Sequence, residues 1–227
     1  MKNIPFIDIH THISGEEWDT VTVKNIFPGE SIPAFTGKDF FSVGLHPWHI
    51  KSQKENNELL QIMEDALELD HVIFVGESGL DKSVQNDFDE QVRIFKAQAF
   101  MAEEYQKPLI IHCVRAYYEI LGIHKKNRPA VPWIFHGYSG NHEITKQLLR
   151  EGVYFSFGAG LFNTESKVAD SFQLIPVEKM YFETDELAMD IRDIYEKGAY
   201  LKNISTEKLK QLIWENFNRL ENVSFNI

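Results

Sequence analysis

The chain has almost no cysteine. Cys113 is the only one, so no internal disulfide can form, and a zinc site built from cysteines is excluded. Both facts suit a reducing compartment, and the cytoplasm is the expected location. Long apolar runs are also missing. The N-terminal stretch MKNIPFIDIHTH is broken by His10 and His12 within a few residues, so neither a secretory leader nor a membrane span is expected. Positive charge is in the minority. Lys and Arg number 23 against 34 Asp and Glu, giving a net charge of −11, and two bound divalent cations would bring it only to −7. Such a chain repels polyanions at long range. It carries no basic stripe of the kind that grips long nucleic acid, and its one small cluster, His124-Lys125-Lys126-Asn127-Arg128, reads as a solvated helix end. A stable nucleic-acid complex and a membrane partner are therefore not expected. Low-complexity tracts, repeats, a phosphate-binding G-x-x-x-x-G-K-[ST] loop and a dinucleotide fingerprint are absent as well.

What is present is an alternation of short apolar runs and longer amphipathic stretches. The runs cover residues 6–9, 40–45, 72–75, 109–111, 133–135, 153–157 and 180–182, and they are rich in Val, Ile, Phe and Tyr. They read as buried strands. Helical patterns lie between them at 55–69, 88–105, 116–126, 142–151, 165–174 and 206–220. Strand and helix in strict alternation predict a parallel sheet with right-handed crossovers. With a further strand at 20–27, eight strands would close a TIM-like (β/α)8 barrel within a single domain spanning 1–227. An open doubly wound sheet is the alternative. A barrel of this kind typically takes about 250 residues, so this chain is short for one. The shortage falls early: the gap between His12 and Thr20 is too small for a parallel crossover of a dozen or more residues. Either the second strand runs antiparallel, or the first helix has been lost.

The chemistry lies in how the runs end. They finish in Asp8-Ile9-His10-Thr11-His12, Gly76-Glu77-Ser78-Gly79-Leu80-Asp81, Ile111-His112-Cys113, Phe135-His136-Gly137 and Phe182-Glu183-Thr184-Asp185. In a parallel sheet all strand C-termini lie on one face, which is where α/β barrels build their sites. His10 and His12 are two apart, so their side chains leave the strand on the same side. Imidazole suits zinc, iron, nickel or copper, and carboxylate oxygens also suit manganese or magnesium; zinc, manganese, magnesium, iron, cobalt and nickel are the candidate ions. Four histidines and two carboxylates exceed one tetrahedral zinc; they suit two divalent ions that share a carboxylate.

These pieces resemble the TatD family of metal-dependent hydrolases, within the amidohydrolase-like barrels. The resemblance extends to Gly44-Leu45-His46-Pro47, to Phe135-His136-Gly137-Tyr138-Ser139-Gly140 and to the tail Asn216-Phe217-Asn218-Arg219-Leu220, in the family's order over most of the chain. It implies that His10, His12 and Asp185 hold one ion, and that Glu77 bridges to a second held by His112 and His136. It further implies a two-metal phosphodiesterase or deoxyribonuclease acting on a small phosphodiester or short single-stranded DNA. Asp185, together with the bridging Glu77, would be catalytic, orienting the attacking water and accepting its proton. Departures from the family pattern touch the rim. Val114 and Arg115 follow the His-Cys pair where Arg and Asp are usual, and Glu186-Leu187-Ala188-Met189-Asp190 replaces a proline-bearing basic loop. They leave room for a hydrolase of the same barrel acting on a small phosphate ester, amide or lactone, and for a metal-binding module without activity. Histidinol-phosphatase-like metallohydrolases, which also begin with H-x-H, would need more histidines and three metals.

Candidate substrate contacts are His46, Arg115 and Ser139. His46 either touches a substrate phosphate or supports the site structurally. Arg115 either reaches a phosphate or makes a helix-start ion pair. The backbone N–H groups of Tyr138, Ser139 and Gly140 precede a helix and can hold a phosphate oxygen. Trp48, His49 and His142 are weaker candidates for the pocket wall. His71 and His124 are expected on the opposite, stabilising face. Cys113 is expected to pack against a helix rather than act as a nucleophile.

Overall fold

The computed structural model describes residues 4–13, 19–35, 37–163 and 168–220. Eight strands follow one another in sheet order: β1 (Phe6–Thr11), β2 (Thr20–Ile26), β3 (Asp39–Val43), β4 (Val72–Asp81), β5 (Leu109–Val114), β6 (Trp133–Phe135), β7 (Tyr154–Phe157) and β8 (Met180–Phe182). The registers of β1 with β2, β3 with β4, β4 with β5, β5 with β6 and β7 with β8 are all parallel. Past the end of β8 the chain turns back on β1. Asp185 N donates to His10 O at 3.1 Å, and His12 N donates to Asp185 O at 3.0 Å. The last strand thus meets the first, and the fold is a TIM-like (β/α)8 barrel rather than an open sheet. The second strand is parallel to the first, so the antiparallel option fails; residues 14–18 of the short link lie outside the described residues.

The helices are α1 (Gln53–Leu67), α2 (Phe88–Glu104), α3 (Tyr117–Asn127), α4 (His142–Arg150), α5 (Val168–Leu174), α6 (Ile191–Lys202) and α7 (Thr206–Arg219). Six match the sequence patterns to within a few residues. The expected start of the fifth, at 165, falls among residues outside the description. The helix α6 was not expected. Its buried positions Ile191, Ile194, Tyr195, Gly198 and Ala199 follow helical spacing, with Asp190 as N-cap and Asn203 left-handed at the C-cap. A glycine in its last turns and a charged first turn dilute that signal.

By contacts the chain forms two compact units. The first comprises the described parts of Met1–Lys24, Thr36–Asp39 and His136–Ile227. Within it α6 is laid on β8 and β1. A Cβ on Gly198 would sit 2.6 Å from the Phe182 ring, so only glycine permits that approach. The neighbouring Tyr195 packs its ring on Phe6 and Phe182, and its hydroxyl bonds both the N–H and the carbonyl of Ile7 at 3.1 Å. On α7, Leu209, Ile213 and Phe217 are buried at successive turns, and Asn216 donates to the carbonyls of Val177 and Met180 just before and within β8.

The second unit comprises Asn25–Phe35 and Phe40–Phe135. Its centre is β4, ten residues long and buried throughout. The backbone of β5 lies so close to it that a Cβ on Gly79 would fall 1.8 Å from the His112 carbonyl oxygen. Two buried glutamines on α2, seven positions apart and so on one face, bond bare backbone at the ends of β3 and β4. Gln98 accepts from Leu45 N at 2.7 Å and donates to Leu45 O at 3.1 Å. Gln91 does the same to Asp81, at 2.8 and 3.0 Å. A capping box between Ser52 and Glu55 starts α1.

Candidate metal centre

In the first unit the C-terminal ends of β1 and β8, with the residue after β6, bring together His10, His12, His136 and Asp185. Both His10 Nε2 and His12 Nε2 lie near Asp185 Oδ1, at 3.7 and 3.6 Å. The rings of His10 and His136 are 4.5 Å apart, and ligand atoms of His10, His136 and Asp185 all fall within 4.8 Å of one another. These separations are long for hydrogen bonds. They suit ligands of one ion, since bonds of about 2.0–2.2 Å place neighbouring donors roughly 3–4 Å apart.

Two further carboxylates stand behind this group. Glu183, 1% exposed, accepts from Gly137 N at 2.6 Å and lies 3.5 Å from His136 Nδ1. Burial works to raise its pKa, but the hydrogen bond and charge of His136 hold it below the ordinary glutamate range. The second, Asp8, accepts from Thr184 N at 3.1 Å and from Thr184 Oγ1 at 2.6 Å, and burial pushes it up to about 7. It thereby pins the residue before Asp185, whose backbone sits in the left-handed region at φ 56 and is held there by its two bonds to β1. A carboxylate on the far nitrogen of a ligand histidine fixes the ring and its tautomer.

In the second unit His46, Glu77 and His112 converge. Glu77 Oε1 is 3.2 Å from His46 Nε2 and 2.8 Å from His112 Nδ1, and the two rings are 4.3 Å apart. Glu77 is buried, and its N–H donates to Asn25 Oδ1 at 2.7 Å. Asp81 stands behind His112, with Oδ2 3.2 Å from its Nε2, and also accepts from Trp48 Nε1 at 2.6 Å and Ser83 N at 2.7 Å. Burial works to raise the pKa of Asp81, but the bonds from Ser83, Trp48 and His112 outweigh it and hold the carboxyl at about 2.

Each unit therefore offers three or more imidazole and carboxylate donors at spacing that fits a divalent transition ion. The structure groups His136 with His10 and Asp185. It also gives His46, expected as a phosphate contact or a structural support, a position equivalent to a ligand beside Glu77 and His112. Ser139 is exposed and lines a cavity of about 210 Å³ with Gly137, Gly158, Glu183 and Asp185. Arg115 is exposed with φ 56, between the end of β5 and α3. His49 meets Phe27 edge-on, and His142 is the first residue of α4, capped by Asn141. Away from the ligands, His71 packs against Phe35 and Phe41, and His124 against Trp133. Burial raises the Cys113 thiol far above its ordinary range, which suits a packing residue. Sequence reasoning gave no role to Asp8, Asp81 and Glu183, although each stands two or four positions from a ligand on the same strand run. Nothing in the sequence marked Asn25, Gln91 or Gln98. No helix among the described residues is long and apolar enough to cross a membrane.

The sequence model of the TatD related DNase family matches residues 30–222. An uncharacterised metal-dependent hydrolase of Bacillus subtilis is 24% identical over 94% of this chain and 97% of its own length. A 3'-5' ssDNA/RNA exonuclease TatD of Citrobacter koseri is 29% identical over 71% of this chain and 63% of its own length. Among solved structures, a TatD homolog from Escherichia coli superposes with a TM-score of 0.81 at 19% identity, covering 98% of this chain and all of that one. The chain belongs to the TatD-related DNase family of metal-dependent hydrolases.

Proposed function

We propose that the protein is a metal-dependent nuclease that cuts phosphodiester bonds in short single-stranded nucleic acid, acting in the cytoplasm as one domain. The observation that carries this reading is the pair of histidine–carboxylate groups at strand ends, each spaced for a divalent ion. The name of the Citrobacter relative points to single-stranded DNA or RNA as substrate, and that of a human 3'-5' RNA nuclease, 32% identical over 63% of this chain, points to RNA.

His10, His12, His136 and Asp185 would hold one ion, and His46, Glu77 and His112 the other. Zinc, manganese, magnesium, iron, cobalt and nickel are all compatible with such donors. Bound there, the ions would supply Lewis acidity, acidifying water and neutralising charge on the phosphoryl oxygens. Asp185, more open than Glu77, would orient the attacking water through its second oxygen and take up the proton. Glu183 and Asp81 would keep His136 and His112 in fixed tautomers. The exposed Arg115 and the backbone N–H groups about Ser139 would receive the non-bridging phosphate oxygens.

The test is cleavage of an end-labelled single-stranded oligonucleotide by protein loaded in turn with Mg, Mn, Zn, Co and Ni. Small phosphate esters, amides and lactones are assayed beside it. Metal-dependent cleavage abolished by Glu77→Ala is expected. Turnover of a small ester or lactone far above that of DNA would overturn the nuclease reading in favour of a small-molecule hydrolase.

A further inference from the structure

Trp48 is exposed, yet it is firmly held. It lies in the single turn Pro47–His49 directly after His46, and 57% of its surface faces solvent. Its backbone N–H donates to His46 Nδ1 at 3.1 Å, and its indole N–H donates to Asp81 Oδ2 at 2.6 Å. The ring meets His46 edge-on at 5.0 Å between centroids and His112 at 6.1 Å. Asn86 braces the turn from outside by donating to the Pro47 carbonyl. Both N–H groups of Trp48 are thus engaged on the site side: the first holds the backbone of the turn, and the second fixes the direction of the ring. Trp133, by contrast, is 1% exposed. Leaving an indole face in water forgoes a large favourable burial.

A rigid, open aromatic face beside two candidate metal ligands is what sequence-tolerant recognition of single strands uses, because every base has a π-face. The charge of the chain points the same way. At −11 it has little electrostatic grip on a phosphate backbone, so affinity for a strand must come from contacts that charge does not supply. We propose that Trp48 is a stacking platform for a nucleobase of the substrate, next to the phosphate handled at His46, Glu77 and His112. This assignment rests on the nuclease reading and names the substrate feature recognised.

Two experiments test it. In the first, metal-stripped protein is titrated with a deoxynucleoside monophosphate and, separately, with abasic deoxyribose phosphate, following tryptophan fluorescence. The nucleotide should quench and the abasic compound should not, and Trp48→Ala should remove the quench. In the second, metal-loaded protein cleaves a short single strand. Trp48→Ala should raise KM by about 5- to 150-fold with kcat nearly unchanged, the loss of one stacked base. Trp48→Phe loses the same bond to Asp81 but keeps an aromatic face, so it should recover most of the KM. A Phe variant as impaired as the Ala variant would overturn the platform in favour of a structural bond. No quenching by any nucleotide would overturn it whether or not DNA is cleaved, and so would cleavage with KM unchanged in Trp48→Ala. If the wild type cleaves no DNA with any metal, the nuclease reading fails by itself, and the fluorescence titration still decides the fate of Trp48.

Discussion

Replacing Gln98 by leucine isolates the device that presents His46. The Gln98 side chain is fully buried and bonds both polar groups of Leu45, itself 1% exposed. A leucine of similar size leaves that N–H and that carbonyl without partners where water cannot follow. Each such group costs about 1–3 kcal/mol, so the pair costs roughly 4 kcal/mol. The apolar surface of the leucine returns about 2 kcal/mol of this. The expected net loss is about 2 kcal/mol, or roughly 4–8 °C in melting temperature for a chain of this size. Urea unfolding at fixed metal concentration measures it, and the m value should be unchanged because the fold is unchanged. His46 follows Leu45 directly, so metal retained after dialysis should fall as well, whereas a purely global loss of stability would spare it. Gln91→Leu provides a parallel case at Asp81. A stability change below about 0.5 kcal/mol for Gln98→Leu would refute the idea that these amides carry the ends of β3 and β4.

Gly79→Ala should give an unstable or insoluble protein, since its Cβ would fall 1.8 Å from the His112 carbonyl; soluble yield and a melting curve check it, and a wild-type melt would refute the β4–β5 register. Asp8→Ala should destabilise the protein by about 1–3 kcal/mol more than Asp8→Asn in urea melts, because only the amide keeps an acceptor for the buried Thr184 N–H. Lys202 is held at about 8, mainly by burial and against the attraction of Glu178, so its folded pKa lies below the 10.5 of an ordinary lysine. The unfolded chain then binds more protons between those values, and this contribution to stability rises with pH from about 8 to 10.5. Lys202→Met should flatten that part of the stability profile, and an unchanged slope would count against the burial of the ammonium among the carbonyls of Phe172, Gln173 and Ile175.

Seven of the strands were legible because each contains a compact apolar run with clear punctuation, and β6 and β8 match their runs residue for residue; β2, TVTVKNI, carries a weaker signal. The histidines and acids at their ends were legible for the same reason: a polar residue closing a buried strand stands out against its neighbours. Supporting groups were not. Gln91 stands beside Glu90 and Arg93 and Gln98 between two alanines of an amphipathic helix, and only the burial of their face separates them from solvated glutamines elsewhere in the sequence. Asn25 is hidden similarly at the end of β2, where its carbonyl oxygen joins Ser42 Oγ to Glu77 N. The helix α6 escaped because its packing depends on a glycine, which lowers helix propensity yet is the residue that Phe182 requires at that point.

Strand alternation alone would not have aimed the candidate ligands, since the ladders slip where these residues stand. The register shifts between Asp8 and Thr11 in β1, between Phe41 and Ser42 in β3 and between Val75 and Ser78 in β4. His10 and Glu77 lie inside two of these slips, and the third precedes His46 by a few residues. An extra residue on one strand bends it locally and redirects the side chains beyond. Counting by twos from Ile9 or Val75 therefore predicts a side of the sheet but not the final direction of the imidazole or carboxylate. Close glycines permit the distortion: a Cβ on Gly44 would stand 2.5 Å from the Gly76 backbone, so β3 and β4 approach there as two bare chains. The histidines and acids thus offer the donor atoms, and the irregular ladders with their glycines set where those atoms lie. A regular strand carrying the same ligands would spread them along the sheet instead of gathering them.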